Sequence, residues 1–300
     1  MNPSGLTIGI MTINGFEFHP NARFRQEAAK RGHGIMLIDP YGMGCMIEEG
    51  KPGVFMADHP DLPDLVMPRQ GSPMGEYGFV LLRQFDALGI PLKNSLEGVT
   101  IARNQFITLQ HLTAARIPVP DTCFVTREDN FFRAVAKLGG YPVVAKQVDG
   151  MGGDGVTLVN SREEARAYLS SRFSPRKGGL VQAYILPEDR MDVRLLVIGN
   201  KVTGAMALTP ATGQFKANIH QQGRARPFVP DRQQVKMAVA AARACCLDVA
   251  GVDMLVTQGQ GSRIIEVNYS PGFRGLEEAT GLNIAGKILD HVIKPGQTCR

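Results

Sequence analysis

The order strand, helix, strand at the start of the chain is the feature that most constrains its fold. Residues 6–13 are apolar and rich in β-branched side chains, and residues 34–38 are again strand-like. Between them, residues 20–31 have the apolar spacing of a helix that stops at Gly32. A helix in this position carries the chain back across the sheet, so the two strands become parallel neighbours. The sequence therefore predicts an α/β fold that begins with a parallel sheet.

The same alternation continues along the chain and predicts three α/β units. The first, residues 1–93, adds a strand at 64–67 and a helix at 76–88. The second, residues 94–180, is predicted to contain helices at 99–115, 128–138 and 161–172 and strands at 121–126, 141–147 and 155–159. The third, residues 181–300, is predicted to contain strands within 180–209, at 252–256 and at 263–269, and helices at 231–246 and 284–293. Two of the strands within 180–209 are joined by a tight turn at Gly199-Asn200.

Cysteine spacing and hydropathy exclude several classes of protein. The five cysteines form an odd set with no C-x-x-C pair, which indicates free thiols in a reducing compartment rather than disulfides or a zinc site. No apolar run approaches the roughly 18 residues of a membrane span, and the N-terminus lacks the pattern of a signal peptide. We therefore expect a cytoplasmic protein with no membrane partner.

The basic charge has two explanations that the sequence leaves open. The formal net charge is +5, but Lys and Arg are dispersed and form no basic cluster of the kind that binds nucleic acid. An excess of this size fits anionic small ligands, and it equally fits ordinary surface charge. We expect no nucleic-acid partner.

A glycine-rich loop follows an apolar strand that carries a lysine, Lys146. Gly150, Gly152 and Gly155 match the dinucleotide pattern G-x-G-x-x-G, but that fingerprint requires a helix after the glycines, and residues 156–159 read as a strand. This excludes a nicotinamide-dependent redox enzyme. A loop between two strands instead suits a flap whose N–H groups close over phosphate, with Lys146 adding positive charge. The alternative is an ordinary hairpin with a surface lysine.

A second phosphate-binding pattern is rejected. Gly281-x-x-x-x-Gly286-Lys287 resembles a P-loop, but the next residue is isoleucine where Mg²⁺ binding requires Ser or Thr. These glycines also lie at the edge of an amphipathic helix rather than after a strand.

Three oxygen-bearing side chains lie in two neighbouring apolar strands near the C-terminus. Alternation along a strand places Glu266 and Asn268 on one face, and a short connection lets the strand with Asp253 pair beside them. Mg²⁺ prefers carboxylate and amide oxygens, whereas unpaired carboxylates are rare inside apolar strands. The sequence therefore predicts a magnesium site, the alternative being an isolated hydrogen-bonded cluster.

Together these motifs resemble the RimK-like branch of the ATP-grasp superfamily over nearly the whole chain. The matching stretches are LRQFDALGIPLKN, TIARN, YPVVAKQVDGMGGDGV, VQAYI, DVRLLVIG, ANIH, CLDVAGVD, EVNYSPGFRGLE and TGLNIAGK. The resemblance implies an ATP-grasp fold, in which an N-terminal parallel-sheet domain precedes two α+β subdomains that enclose ATP. It also implies an ATP-dependent ligase that uses Mg²⁺, with Mn²⁺ as an alternative.

The resemblance assigns roles position by position. Lys146 and the flap glycines Gly152, Gly153 and Gly155 would contact phosphate. Ala183 and Tyr184 would border adenine with backbone groups, and Asp192 would face the ribose or its neighbours. Lys216 and Asn218 would lie near the phosphates, and Arg194 near the acyl phosphate, unless it is an ordinary ion-paired strand residue. Asp253, Glu266 and Asn268 match the Mg²⁺ ligands, and the residues expected to take part in catalysis are Lys146, Arg194, Lys216 and Asn218.

Several positions depart from the family pattern. Gln105 stands where a lysine is expected, Leu208 and Thr209 replace two arginines, and Gln221-Gln222 replaces Arg-Gly. These changes remove positive charge from the nucleotide and substrate sides, although Arg224 and Arg226 are close enough in sequence to replace some of it.

The resemblance implies a carboxylate–amine ligase that acts through an acyl phosphate. It would add glutamate or another amino acid to a carboxylate of a small molecule, a peptide or a protein C-terminus. The alternative is a nucleotide-binding ATP-grasp protein that has lost ligase activity and serves a regulatory or binding role. The intact set Asp253, Glu266 and Asn268 favours the ligase, because burying it without a cation would be costly. The oligomeric state stays open, a homo-oligomer included.

Overall fold

The computed structural model describes residues 5–55, 61–69, 75–148, 155–186, 190–209, 224–257 and 261–294. Within these ranges the helices are α1 (His19–Ala29), α2 (Gly75–Ala87), α3 (Leu96–Ala102), α4 (Gln105–Ala114), α5 (Glu128–Lys137), α6 (Arg162–Ser171), α7 (Arg232–Ala244), α8 (Arg274–Thr280) and α9 (Ile284–Val292). The strands are β1 (Thr7–Met11), β2 (Gly34–Ile38), β3 (Gly44–Glu48), β4 (Lys51–Phe55), β5 (Leu65–Pro68), β6 (Thr122–Val125), β7 (Val143–Gln147), β8 (Val156–Val159), β9 (Gly179–Ala183), β10 (Arg190–Ile198), β11 (Lys201–Thr209), β12 (Arg224–Pro227), β13 (Val249–Thr257) and β14 (Gly261–Asn268). No helix in these ranges is long and apolar enough to span a bilayer.

The N-terminal part contains the predicted parallel sheet, in the order β2-β1-β5. β1 pairs in parallel with both neighbours, Ile8 lying opposite Ile35 and Leu65. The strand residues Ile8, Ile10 and Leu65 are buried, because helices cover a parallel sheet and leave little of it for solvent. The parallel βαβ start is therefore confirmed.

The middle of the chain forms a four-stranded antiparallel sheet in the order β6-β9-β7-β8. Apolar side chains from β7, β9 and the helices α5 and α6 form its core, which includes Val143, Ala145, Phe131 and Tyr168. β7 and β8 are adjacent and antiparallel, so residues 149–154 connect two strands, as the sequence predicts.

The C-terminal part is built on a five-stranded antiparallel sheet in the order β12-β11-β10-β13-β14. The predicted two-residue turn at Gly199-Asn200 joins β10 to β11, with Gly199 at φ 58°. β14 carries a bulge, because its register steps from Asp253 opposite Glu266 to Met254 opposite Ile264. Ile265 is the extra residue, and its position brings Ile264 into the core while Glu266 lies on the other face.

Four features differ from the sequence prediction. Residues 99–115 are not one helix, because α3 ends at Ala102 and Asn104 caps the start of α4, accepting hydrogen bonds from the N–H groups of Phe106 and Ile107. The hairpin β3–β4, strand β12 and helix α8 were not predicted.

Buried polar contacts join the N-terminal and C-terminal parts. Asn94 is 2% exposed, and its amide donates to the carbonyls of Val249 and Tyr269 and accepts from the N–H groups of Asp248 and Val249. Arg69, at the end of β5, donates to the carbonyl of Pro271 at 2.7 Å. The N-terminal sheet is thereby fixed against the end of β14.

Candidate active site

Arg194, Asp253 and Glu266 form a row across three adjacent strands. Arg194 on β10 lies opposite Asp253 on β13, which lies opposite Glu266 on β14. Directly opposed residues of an antiparallel pair share one face of the sheet, so the three side chains project together. Arg194 contacts Asp253 with two hydrogen bonds, from Nε to Oδ1 at 2.6 Å and from Nη2 to Oδ2 at 2.5 Å. The row thus contains one bidentate ion pair and a second carboxylate beside it.

The charges in this row are unbalanced toward the negative side. Burial, followed by the neighbouring Asp253 carboxylate, raises the pKa of Glu266, while Arg194 and then Lys146 oppose the rise. Asp253 in turn holds the pKa of Arg194 above its usual range, with burial acting in the opposite direction. Two carboxylates face one guanidinium, so the site favours an additional cation.

Asn268 lies two residues beyond Glu266 on the same face of β14, opposite Gly251. Its side-chain oxygen accepts from the N–H of Ser270 at 2.8 Å, which orients the amide at the start of the exit turn. A Cβ at Gly251 would lie 2.8 Å from Cβ of Pro271, so glycine leaves room for this turn.

The oxygen donors match a hard cation rather than a thiolate or imidazole metal. Among the described residues no group of three or more His, Cys, Asp and Glu side chains is arranged to hold a metal ion. The candidate donors are therefore the carboxylates of Asp253 and Glu266 and the Asn268 amide. Mg²⁺ takes one or two protein carboxylates and completes its octahedron with phosphate and water. The residues present therefore fit Mg²⁺ that is bound together with a nucleotide.

Asp192 shares the face of the row, two residues before Arg194 on β10. Arg190 Nε donates to its Oδ1 at 2.9 Å. Burial raises the pKa of Asp192, Arg190 opposes the rise, and Asp253 adds to it. The carboxylate predicted to face the ribose is thus held by a neighbouring arginine.

Lys146 lies on β7 in the neighbouring four-stranded sheet and is 6% exposed. Its positive charge lowers the pKa of Glu266, which places the lysine within electrostatic reach of the row. Gly155 begins the return strand at φ 77°, and its carbonyl accepts from the N–H of Gln147 at 3.0 Å. This hydrogen bond closes the base of the loop that follows Lys146.

The predicted adenine-bordering residues lie at the end of β9. The N–H of Ala183 donates to the carbonyl of Asp121 at 2.9 Å, so that N–H is not available to a base. Tyr184 follows directly, with the guanidinium of Arg190 5.5 Å from its ring centre. Of the two residues, Tyr184 is the better candidate for contact with a nucleotide.

Four predicted site residues, Gly152, Gly153, Lys216 and Asn218, lie outside the described residues. Arg69 and Asn94, by contrast, were not predicted. Arg69 is buried, with its guanidinium 5.4 Å from the ring centre of Phe24 and 5.8 Å from that of Phe273, and burial lowers its pKa to about 10. The only sequence signal for it was a charged residue directly after an apolar strand.

Two known protein domains match most of this chain. The RimK-like ATP-grasp domain matches residues 102–292, and the RimK PreATP-grasp domain matches residues 6–99. The chain belongs to the RimK-like ATP-grasp family. The expected class, an ATP-dependent carboxylate–amine ligase, is confirmed with it.

RimK-like relatives cover the chain almost completely. A protein of Serratia proteamaculans named probable alpha-L-glutamate ligase is 36% identical over 97% of this chain and 97% of its own length. The RimK domain protein ATP-grasp of Sphaerobacter thermophilus has a TM-score of 0.76 at 22% identity and covers 96% of this chain and 100% of that one. The ATP-grasp ligase PsnB, solved with minimal precursor, Mg and ADP, has a TM-score of 0.70 at 18% identity and covers 95% of each chain. These structures share the ATP-grasp fold with this chain.

Proposed function

We propose that the protein binds MgATP between its four-stranded and five-stranded sheets and joins glutamate, or a related amino acid, to a carboxylate acceptor. The observation that carries the proposal is the row Arg194, Asp253 and Glu266, with the charge of Lys146 acting on it from the other sheet. The names of the relatives support glutamate as the amine.

Asp253, Glu266 and Asn268 would hold the magnesium ion. When bound, Mg²⁺ neutralises phosphate charge and orients the γ-phosphate for transfer. Its binding would also relieve the repulsion between the two carboxylates. Mn²⁺ would satisfy the same oxygen donors.

The residues of the chain contribute positioning and electrostatic stabilisation. The acceptor carboxylate attacks the γ-phosphate and forms an acyl phosphate and ADP, and the amine of the amino acid then displaces inorganic phosphate to leave an amide. Lys146 would neutralise phosphate oxygens in the first step. Arg194, held by Asp253, would present its guanidinium to the carboxylate side of the reaction, where preorganised charge acts without reorganisation.

The acceptor carboxylate is expected to differ from that of family members in which two arginines stand in place of Leu208 and Thr209 on β11. Leu208 lies on this strand directly opposite Asp192 and Ala225, and Thr209 lies opposite Arg224. An apolar side chain at position 208 cannot pair with an anionic acceptor. We propose an acceptor whose negative charge is concentrated at the reacting carboxylate.

The test is ADP release with glutamate and a panel of carboxylate acceptors, with products identified by mass. Turnover that requires both substrates and Mg²⁺, and that falls at least tenfold in Glu266→Gln, supports the proposal. The matched control is Glu278→Gln, because Glu278 is an exposed residue of α8. Wild-type turnover in Glu266→Gln would contradict the metal assignment. MgATP binding without ligation of any acceptor would instead favour a binding protein.

A further inference from the structure

Gln105 contacts both the exit of β7 and the bulge of β14. Its backbone N–H donates to the carbonyl of Val148 at 3.3 Å, two residues after Lys146. Its side-chain Nε2 donates to the carbonyl of Ile265 at 3.1 Å, one residue before Glu266. The segment that carries the lysine and the segment that carries the carboxylate are thereby connected through one residue, by its backbone on one side and its side chain on the other.

The bulge determines which way Glu266 faces. Ile264 is fully buried opposite Met254, and Glu266 faces Asp253 on the other side of the sheet. Regular alternation would place residues 264 and 266 on the same face, so only the extra residue allows both arrangements. A bulged residue lacks its normal ladder partner, and its carbonyl therefore requires another donor.

Gln105 is well placed to supply that donor. It is the first residue of α4, and the cap formed by Asn104 fixes the helix start. α4 packs against β14, and the N–H of Ile264 donates to the carbonyl of Pro118 at 2.9 Å, so the strand is fixed on both sides of the bulge.

We infer that Gln105 is a positioning residue for the magnesium site, which holds the bulge so that Glu266 faces Asp253 at a set distance from Lys146. It acts through the Ile265 carbonyl and not by contact with the nucleotide. The inference rests on the proposed function, because it concerns the geometry of the proposed MgATP site.

The test is calorimetric titration with ADP, in the presence and absence of Mg²⁺, for the wild type and Gln105→Met. Methionine keeps the length of the side chain and removes the N–H donor. The gain in ADP affinity that Mg²⁺ provides should fall about two- to tenfold, the range expected for one lost hydrogen bond. ADP affinity without Mg²⁺ should not change. Gln110→Met, exposed on the same helix, is the matched control and should behave as the wild type.

A second variant keeps the inference testable if Gln105→Met does not fold. Gln105→Glu keeps the length but places an acceptor against the Ile265 carbonyl, and should reduce the Mg²⁺-dependent gain at least as strongly. An equal loss of ADP affinity with and without Mg²⁺ would overturn the inference and would indicate direct contact between Gln105 and phosphate. If the variants keep the full gain in ADP affinity that Mg²⁺ provides, the inference is also overturned. If Mg²⁺ does not strengthen ADP binding to the wild type, the proposed MgATP site itself is wrong.

Discussion

The polar row of β10, β13 and β14 illustrates how few residues set the chemistry of this sheet. Most neighbours of Asp253 on its strand are buried and apolar, including Val252, Met254 and Leu255. Within such surroundings two facing carboxylates would be strongly unfavourable unless cations neutralise them. Arg194 supplies one positive charge by direct contact and Lys146 a second from the next sheet. The two facing carboxylates, which would be costly to bury without these cations, are the groups that would hold a divalent ion.

Lys146→Met provides the sharpest residue-scale prediction. Methionine fills most of the buried space and removes the charge, so folding should persist while ATP binding weakens. Charge-assisted hydrogen bonds contribute about 1.5–3 kcal/mol, which corresponds to a loss of about ten- to a hundredfold in affinity. The measurement is calorimetric titration with ATP and Mg²⁺. Lys137→Met, exposed at the end of α5, is the control, and equal affinity in the two variants would exclude Lys146 from the phosphate site.

The sequence correctly predicted which side chains share a face of the sheet, but it did not predict which residues they contact. Alternation and one short connection were enough to predict that Asp253, Glu266 and Asn268 share a face, because both rules are local. The partner of Arg194 depends on β10 pairing with β13, which is distant in sequence. Arg69 and Asn94 contact residues more than 150 positions away, and no local pattern encodes such contacts. The assigned catalytic roles stay predictions.

At the scale of elements, the prediction that phosphate binds here depends on the loop that joins the antiparallel strands β7 and β8. Gly155 has φ 77°, and a Cβ there would lie 2.5 Å from Oε1 of Gln147. Gly155→Ala should therefore displace Gln147 and loosen the base of the loop, which should raise KM for ATP several-fold. Holding alanine at this positive φ should also destabilise the folded state by about 1–2 kcal/mol.

A matched variant separates these two effects. Gly32 has φ 73°, and no atom lies within 4 Å of the position that a Cβ would occupy there, so Gly32→Ala carries the backbone cost alone. Urea unfolding should show lower stability in both variants, with the larger loss in Gly155→Ala because Gln147 must move, while steady-state kinetics should show a raised KM only in Gly155→Ala. An equal KM in the two would mean that the loop does not cover ATP.

The elements that sequence reasoning missed have particular physical causes. The single helix predicted at 99–115 is wrong because Asn104 is a strong helix N-cap, and its side chain starts a new helix although the apolar spacing continues across it. The hairpin β3–β4 turns at Glu49-Gly50, both at positive φ, and glutamate is unusual where such turns normally have Asn or Asp. β12 pairs only at the outer edge of its sheet, opposite β11, and follows residues outside the described ranges.

At the scale of the whole molecule, charged and polar groups fasten α1 to the C-terminal helices. Arg23 Nε donates to Glu277 at 3.0 Å, and Arg31 Nε donates to Asp290 at 2.7 Å. Asn283 caps α9 and also donates to Glu27 at 2.8 Å. The segment that resembled a P-loop is thus the joint between α8, α9 and the N-terminal helix, which agrees with its rejection as a phosphate site.

Glu27 makes this joint sensitive to acid. Its carboxylate is 2% exposed, and hydrogen bonds from Lys30, then Asn283 and Arg31, lower its pKa from 4.5 to about 2. A depressed folded-state pKa adds stability above the unfolded value, and that contribution is lost as the pH falls from about 4.5 to about 2. Glu27→Gln should therefore destabilise the protein at neutral pH by about 2 kcal/mol, because the hydrogen bonds lose their charge.

The decisive measurement is urea unfolding of Glu27→Gln and the wild type across this pH range. The difference in unfolding free energy should be largest at neutral pH and should shrink as the pH falls from about 4.5 to about 2. The carboxyl is protonated first in the unfolded chain, near pH 4.5, and only near pH 2 in the folded protein, where it then resembles the amide. Glu48→Gln, exposed at the end of β3, should show no such pH-dependent difference. A constant difference at every pH would mean that Glu27 stabilises the joint through shape and neutral hydrogen bonding alone, and that its charge contributes nothing to holding the N-terminal helix against α9.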